Sequence, residues 1–570
     1  MTTWPADQGS QDTAATRYLC AGVYLDQAFR DMVIRKVHND PRRRVAPSYG
    51  FDLIPVVEHA WRAWALETSQ QSCIFSVLAI GLRSNTPAAV MAASGIGLWR
   101  LAPLMLRTAL TVLWLTAKAM TARWFRRRGG SNEAAHLREQ TRLLGASTGG
   151  CGLLIVVPLM TAWFLHAPWT EVVLVAALLL ILIAVVSAIA GAARQLAMNR
   201  IHRAKSLRPE TLTKRQKVID AQQSHTYVVY HRSPPADDAE GKKTLDRQTP
   251  FVGSGKLVYQ WTLPLAIQLL RPGTENMTQR EYTTPPFRTH ELVDRPKTAM
   301  ASVGNATDPL RLRGFQVRDR LYIAETDVPS EREFLRKEPS PLEIAKIIDD
   351  PYETAHHYLE IRATGTGELV TTAFLRVTVK GRSLSLDFSA CALTRTPDDY
   401  HVLDKHRESG TGAVLRSTLR GLRDLPDNIS RLWRLGGVPV VFARAAWSRK
   451  DRSCVPRRGV TIGTRLSIRE EKSVAWNEAK IDEFAIYDHT KVIEQRLLKA
   501  TEDFLESKNV DTSKFKKQAF NNIINTGVFN MGGMLEMSQS AVGSNAQVHH
   551  GFTETNGSFD EAATTEGDRC

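Results

Sequence analysis

The most apolar stretch of the chain covers residues 172–193, which contain no charged side chain and thirteen Leu, Ile or Val residues. At a rise of about 1.5 Å per residue, a helix of this length crosses the ~30 Å hydrocarbon core of a bilayer. Insertion of these thirteen residues is favoured by about 4–8 kcal/mol, so a helix buried in a soluble core is the weaker alternative. The pattern predicts a transmembrane helix.

A second apolar run, residues 151–165, comes just before it, and only the short segment 166–171 separates the two. Pro158 interrupts this run, so a kink is expected there. Trp163 and Trp169 bracket the short segment, and amphipathic indole rings favour the headgroup layer. Together the two runs predict a transmembrane hairpin over residues 149–194, whose flanks lie on one side of the membrane.

Residues 73–122 are also rich in apolar side chains, but Arg83, Arg100, Arg107 and Lys118 interrupt them. Each arginine at mid-membrane costs about 2.5–3.5 kcal/mol. Two short crossings or a re-entrant pair, one long tilted helix, and an amphipathic segment on the inner face all agree with the pattern. The basic N-terminal region looks cytoplasmic and favours an even number of crossings, so a pair of membrane-associated segments is predicted.

The net charge of +15 concentrates on both flanks of the hairpin, whereas residues 166–171 contain no Lys or Arg. By the positive-inside rule both flanks are cytoplasmic, and their cations would lie against anionic headgroups. A nucleic-acid partner is not expected, because the chain shows no nucleic-acid motif. The expected location is the plasma membrane, in a multi-pass arrangement with cytoplasmic N- and C-terminal regions. The residues expected to anchor the membrane interface are Trp163, Trp169, Arg194, Arg200 and Arg203.

The fold class predicted from these patterns is α-helical transmembrane hairpins plus a cytoplasmic α+β region with an antiparallel meander. The predicted division is a cytoplasmic helical region (1–72), a first membrane-associated pair (73–122), a basic cytoplasmic loop (123–148), the transmembrane hairpin (149–194), a cytoplasmic α+β domain (195–515) and a tail (516–570). Within the first region, helices are predicted over Tyr18–Val37 and residues 53–66.

Period-two alternation of apolar residues marks the strands of the α+β domain. The predicted strands are 226–231, 257–262, 321–325, 357–363, 369–379 and 384–392. The last three are joined by glycine-containing turns and predict a meander with one buried and one solvent-exposed face. Helices are predicted over residues 413–434 and 490–507, and loops over 233–243 and 271–297.

In the tail, apolar residues alternate with Asn and Gly from residue 521 onwards. A short hairpin, a strand that adds to the sheet edge of a partner protein, and a disordered segment remain alternatives. A protein partner engaged through this tail is therefore one expectation. Beyond Gly551 the composition favours disorder.

Candidate chemistry is sparse. Gly253-Ser-Gly255 lacks the spacing and the following helix of a phosphate-binding loop, so it predicts a structural turn. The adjacent pair His356-His357 would diverge on a strand, and the six cysteines lack metal-ligand spacing. No cofactor and no metal are expected. Catalytic residues stay unknown, and whether the protein is an enzyme stays open.

Several short motifs carry a resemblance, and they are Tyr18-Leu-Cys-Ala, Ala46-Pro, Pro250-Phe-Val-Gly-Ser-Gly and Asn525-Thr-Gly-Val. With its paired apolar segments, the chain resembles uncharacterised multi-pass membrane proteins of actinobacteria, a resemblance that implies no activity. A membrane-anchored cytoplasmic binding or scaffold module is the favoured function. The alternative is a membrane-tethered enzyme with an unrecognised active site in residues 195–515.

Overall fold

The computed structural model describes residues 13–124, 131–231, 249–273, 277–304, 308–365, 367–404, 410–455, 462–476 and 478–525. Its first helices are α1 (Ala14–Leu25), α2 (Gln27–Met32), α3 (Leu53–Ser84), α4 (Thr86–Trp124), α5 (Ser131–Phe164), α6 (Trp169–Arg203) and α7 (Lys214–Ser224). Its strands are β1 (Tyr227–Tyr230), β2 (Lys256–Gln260), β3 (Leu265–Gln268), β4 (Gln316–Ala324), β5 (His356–Thr364), β6 (Val370–Lys380) and β7 (Ser383–Leu393).

The later helices are α8 (Met277–Arg280), α9 (Thr289–Val303), α10 (Pro341–Asp349), α11 (Thr411–Arg423), α12 (Leu425–Ser430), α13 (Val438–Trp447), α14 (Ile468–Lys472), α15 (Lys480–Ser507) and α16 (Ser513–Asn525). A π-helical segment (Val33–His38) follows α2, and short 3-10 segments cover Glu333–Leu335, Asp398–Asp404 and Leu432–Gly437.

Three helices are long and apolar enough to cross a membrane, and these stretches are Thr86–Lys118 in α4, Arg138–Phe164 in α5 and Trp169–Arg203 in α6. The last two occupy the predicted hairpin and are joined by residues 165–168. The strongest packing of α5 is against α4, whereas α6 packs against α3, α4 and α11. The two arms of the hairpin are therefore held mainly by other helices rather than by each other.

The region predicted as a pair of segments, 73–122, has a different organisation. Its two longest apolar runs, residues 88–99 and 101–117, belong to the single helix α4, which continues through Pro103. Arg100 forms an ion pair with Asp427 of α12 (3.3 Å), so its charge is not left alone among apolar residues. The turn lies earlier, at Asn85, whose side chain accepts a hydrogen bond from the Ala88 backbone (3.1 Å) and begins α4.

The N-terminal helices and the later part of the chain share one hydrophobic core. Leu19, Phe29 and Ile54 of α1–α3 pack in one cluster with Met198 of α6, and that cluster also contains Ile219, Tyr400 and Ile468. The predicted separation of residues 1–72 from residues 195–515 is therefore not reflected in the packing. We call the part outside the apolar helices the body.

The body contains a seven-stranded sheet in the order β1-β4-β5-β6-β7-β2, in which β3 pairs with the same strand β7 as β2. The pair β1–β4 is parallel, and the pairs that β5, β6 and β7 form are antiparallel. All six predicted strands are present, and the meander β5–β6–β7 is confirmed. The four-residue strand β3 was not predicted.

Both faces of the meander are buried, so the prediction that one face is exposed to solvent is wrong. Leu375 packs on one side in a core that includes residues of α9 and α15. Phe374 on the other side is completely buried and stacks on Phe251 at 4.0 Å between ring centroids, in a cluster that also contains Tyr49. The second cover comes from distant parts of the chain and cannot be seen in the strand pattern itself.

Several helix bounds also differ from the predictions. The predicted helix 413–434 is broken after Arg423, where Pro426 lies in the first turn of α12. The predicted helix Tyr18–Val37 is broken at Asp26, whose side chain accepts from the Phe29 backbone and begins α2. The predicted loop 271–297 contains α8 and the start of α9. The predicted loop 233–243, residues 125–130 and the tail from 526 lie outside the described residues.

Candidate functional site

A groove of about 1410 Å³ lies where α6 leaves its apolar stretch and enters the body. Its walls come from the end of the π-helical segment, α3, the C-terminal end of α6, residues 204–213, the start of α7, and α13 with the residues just after it. Its charged lining residues are Glu58, Arg62, Arg200, Arg208, Glu210, Lys214, Arg215 and Arg449. Six of these are cations and two are acids, so cationic side chains predominate in the lining.

Arg215 on α7 is the most deeply buried cation of the groove, at 2% exposure. It donates hydrogen bonds to the backbone carbonyls of Val37, His38 and Asp40, each at 3.0 Å. Burial lowers its pKa to about 10, so the side chain remains charged at neutral pH. Its buried Nη1 atom has no partner among the described residues. Arg215 therefore supplies a fixed positive charge beside the groove.

The other cations of the groove differ in how strongly they are neutralised. Arg208 bridges Asp52 (3.0 Å) and Asp220 (2.5 Å), and this fixes the connection between α6 and α7. Arg200, Lys214 and Arg449 form no ion pair with an acid of the described part of the chain. These three are therefore the cations most available to an anionic ligand.

The two histidines of the groove do not add to its charge. Burial lowers the pKa of both His38 and His59 to about 4, so both rings are neutral at pH 7. His59 Nδ1 is hydrogen-bonded to the Tyr24 hydroxyl at 3.2 Å, and His38 Nδ1 is hydrogen-bonded to the Asn39 side chain at 2.8 Å. Both rings therefore have structural partners.

The wall on the side of α13 is apolar. Trp61 of α3 lies against Trp64 and Phe442, with ring centroids 5.4 Å and 6.4 Å apart. Ala445 and Ala446 extend this wall. The groove thus combines aromatic and basic lining residues. This arrangement fits a ligand with an apolar part and an anionic head.

The structure spreads the predicted interface anchors over two ends of α6. Trp163 (72% exposed) and Trp169 (46% exposed) lie at the turn between α5 and α6. Arg194 is half-buried near α11, while Arg200 and Arg203 are exposed at the other end of the helix. Of the five, only Arg200 lines the groove. Their role at a membrane interface stays a prediction.

Two other predictions from the sequence concern the body. Gly253 and Gly255 have φ values of 99° and 97°, and a Cβ at these positions would meet the backbone oxygens of Pro47 and Ala392. The structural turn is therefore confirmed. His357 Nε2 is bonded to Asp319 (3.0 Å), whereas His356 lies beside Arg376, so the pair diverges as predicted. The described residues contain no group of three or more potential metal ligands.

The contribution of α13 to the groove was not predicted from the sequence. Phe442 and Arg449 belong to a stretch to which no element was assigned. The signal was present, because Val438–Trp447 combines apolar residues with Arg444 and follows two glycines. Trp61 and Arg62 were predicted only as part of a helix.

Residues 260–538 match the model of a protein family described as an AbeC-like domain. The match begins at the last residue of β2 and includes the meander, α11–α13 and α15. It supports the expected link to an uncharacterised family and names no activity. No curated protein and no solved structure matches this chain.

Proposed function

We propose that this protein is a membrane-anchored binding module whose groove takes an amphiphile with an anionic head. The observation that carries the proposal is the position of the groove. It opens where the most apolar helix, α6, ends, and it combines the aromatic pair Trp61 and Phe442 with the cations Arg200, Lys214 and Arg449. A ligand that partitions into lipid would meet these residues first.

The anchoring itself is supported by the surface of the apolar helices. Leu174, Ile181 and Ile189 of α6 are 59–70% exposed, and large apolar side chains of α4 and α5 are exposed in the same way. In water this surface would be an aggregation site, whereas in lipid each such residue favours insertion by about 0.3–0.6 kcal/mol.

The shared core supports an even number of membrane crossings. Three crossings would place the N-terminal helices and the rest of the body on opposite sides of a membrane, yet their side chains pack together. The second half of α3 resolves this, because it runs along α6 from Ile74, near Ile183, to Gly81, against Leu179. We therefore propose four antiparallel membrane crossings, called legs here, of which the second half of α3 is the first.

In this arrangement the turns at Asn85 and at residues 165–168 lie on one side, and the body lies on the other. Because Lys and Arg concentrate on the body side, the positive-inside rule places the body in the cytoplasm. Location in the plasma membrane, and the likeness to multi-pass actinobacterial proteins, remain part of this proposal.

The topology is tested by single cysteines in a background without native cysteines. Ser84→Cys and His166→Cys should react with an impermeant thiol reagent added outside intact cells, because both residues are exposed at the turns. Lys205→Cys, exposed near the groove, should react only after the cells are opened. Labelling of Ser84→Cys and His166→Cys from opposite sides would contradict four legs.

The binding proposal is tested with short-chain phosphatidic acid and the matching phosphatidylcholine on protein purified in detergent. The double variant Arg200→Glu/Lys214→Glu should weaken phosphatidic acid binding by at least about tenfold, since each cation near a headgroup contributes on the order of 1 kcal/mol. Glycerol phosphate without acyl chains should compete poorly, because it cannot use the aromatic wall.

The matched control is Lys205→Glu/Lys217→Glu, which makes the same change of charge at exposed lysines outside the groove. Equal losses in the two double variants would mean that the protein attracts anions over its whole surface. Equal affinity for the two lipids would contradict an anionic ligand.

A further inference from the structure

The segment from Thr411 to Arg449 wraps against the apolar helices and is called here the collar. It consists of α11, α12, the 3-10 segment Leu432–Gly437 and α13, and it ends at Arg449. Its first helix packs along α6, and α12 packs against α4 and α3. Leu425 of α12 lies in one cluster with Ile74 of α3, Ile96 of α4 and Ile183 of α6.

The backbones of α6 and α11 come closest at two glycines, Gly191 in α6 and Gly421 in α11. A Cβ at Gly191 would lie 2.6 Å from the Ser417 carbonyl oxygen, and a Cβ at Gly421 would lie 2.7 Å from the Ser187 carbonyl oxygen. The Ser417 hydroxyl also donates a hydrogen bond to the Gly191 carbonyl at 2.9 Å. Small residues that allow such close backbone approach fix the height of α11 along α6.

That height matches the edge of a bilayer. From Trp169 at the turn, α6 rises about 27 Å to Ser187 and about 33 Å to Gly191. The hydrocarbon core of a bilayer is ~30 Å thick. If the turn lies at one face of the bilayer, the contacts between α6 and α11 therefore lie at the edge of the hydrocarbon core on the other face.

The outward side of the collar has the composition of an interfacial helix. Its large apolar side chains are more than half exposed, and these are Leu415, Leu419, Trp433, Val440, Phe442 and Trp447. Between Thr411 and Arg449 the sequence contains seven arginines and two aspartates. Aromatic and aliphatic residues interleaved with arginine favour a surface of anionic lipid.

We infer that the collar lies at the body-side edge of the bilayer, with the exposed apolar side chains of α11 and α13 against anionic lipid. This inference rests on the anchoring proposed above. It commits to lipid rather than protein because the exposed apolar side chains continue those of α6, such as Leu182 and Ile189, and because the net charge is positive. The collar would also fix how deep the apolar helices lie and hold α13, a wall of the groove, at the membrane surface.

In the test, single cysteines are introduced into the full chain from which the native cysteines have been removed, and each is labelled with the fluorophore bimane. The labelled protein is then reconstituted in vesicles that contain phosphatidylglycerol. The labelled variants are Leu415→Cys and Leu419→Cys on the collar, Leu178→Cys on the exposed side of α6, and Ile481→Cys on α15. Ile481 is 94% exposed in the body and serves as the control in water. Brominated acyl chains quench labels in lipid, and iodide quenches labels in water.

Bromolipid should quench the fluorescence most strongly at Leu178→Cys and clearly at Leu415→Cys and Leu419→Cys, with little effect at Ile481→Cys. Iodide should show the opposite order. If Leu178→Cys responds to bromolipid but both collar labels respond only to iodide, the collar inference is wrong and the anchoring stands. If Leu178→Cys responds only to iodide, the anchoring is wrong. Collar labels protected from both quenchers would show that a protein covers this face, which also overturns the inference.

Discussion

Buried charged side chains hold the body together at the scale of single residues. Glu360 in β5 lies between Arg320 (3.0 Å) and Arg362 (3.2 Å) and accepts a hydrogen bond from Tyr49 at 2.9 Å. Arg469 of α14 donates to the backbone carbonyls of Tyr49 and Glu368. These contacts connect the N-terminal loop, the sheet and α14. Removal of one partner would leave the others charged and unpaired in the interior, which is strongly destabilising.

Arg215→Lys tests the anchoring of the π-helical segment. Lysine keeps the charge but cannot reach three carbonyl oxygens in the planar geometry of a guanidinium group. We expect a loss of about 2–3 kcal/mol, because buried carbonyls lose charge-assisted hydrogen bonds. The measurement is the thermal unfolding midpoint in detergent. Lys217→Ala, exposed on the same helix, is the control, and an unchanged midpoint for Arg215→Lys would count against the role assigned to these bonds.

Asp319 makes stability depend on pH. Burial raises the pKa of this carboxyl, but its contacts with His357 and Lys297 outweigh burial and lower the pKa to about 2. The folded-state pKa is below the usual 3.8, so the carboxylate stabilises the fold above pH 4 and this stabilisation is lost as the pH falls towards 2. The contribution at neutral pH is about 2 kcal/mol.

Asp319→Asn should therefore lower the unfolding midpoint at pH 7 and have a smaller effect at pH 3. Asp294→Asn, at an exposed acid of α9, should change neither midpoint appreciably. A difference between wild type and Asp319→Asn that stays constant from pH 7 to pH 3 would argue against this linkage.

The helices and strands differ in how far the sequence predicted them. The meander and α6 depend on local patterns, which are strict alternation and a long uncharged run, and both were found. The break between α11 and α12 was not predicted although Pro426 marks it locally, whereas the length of α3 depends on contacts with distant residues. α3 continues to Ser84 because its second half packs on α6, as the contact of Gly81 with Leu179 shows. No local pattern carries that information.

Gly191→Leu tests the contact between α6 and α11. The new Cβ would meet the Ser417 backbone, which cannot move as a side chain can, so α11 should separate from α6 at a cost of about 1–3 kcal/mol. Trypsin should then cleave the collar faster at Arg416, Arg420 and Arg423.

The matched control is Gly149→Leu in α5, where a Cβ would have no neighbour within 4 Å. Both variants add the same apolar side chain to an apolar helix. Equal rates of cleavage in the two variants would exclude a specific role of Gly191 in the packing of the collar against α6.

The whole molecule is organised around contacts between its first helices and its later parts. The groove was not predicted because its lining comes from four separate segments of the chain, at residues 38, 58–62, 200–216 and 442–449. Its basic residues Arg200 and Lys214 were recognised only as part of the basic flank of the predicted hairpin. The apolar spans, by contrast, depend on composition alone and could be read directly from the sequence.

Residues 195–525 expressed alone should fail to fold. Without α1–α3, Ile219, Tyr400 and Ile468 lose most of the cluster that covers them, and Phe374 and Phe251 lose the cover of Tyr49. We expect aggregation during purification, whereas the full chain in detergent should elute as a defined species. A soluble fragment that unfolds cooperatively would show instead that the predicted boundary at residue 195 separates independent domains.

The contact between Gly22 and the ring of Tyr400, where a Cβ on the glycine would lie 2.6 Å from the ring, has a consequence for synthesis on the ribosome. At about 5–20 residues per second, α1 waits roughly 20–75 s before Tyr400 is made. During that interval α3–α6 leave the ribosome, and α1 can pack against α3 and α6 but still lacks the ring of Tyr400. The surface of α1 at Gly22, although translated early, is thus among the last parts of the chain to reach its native packing.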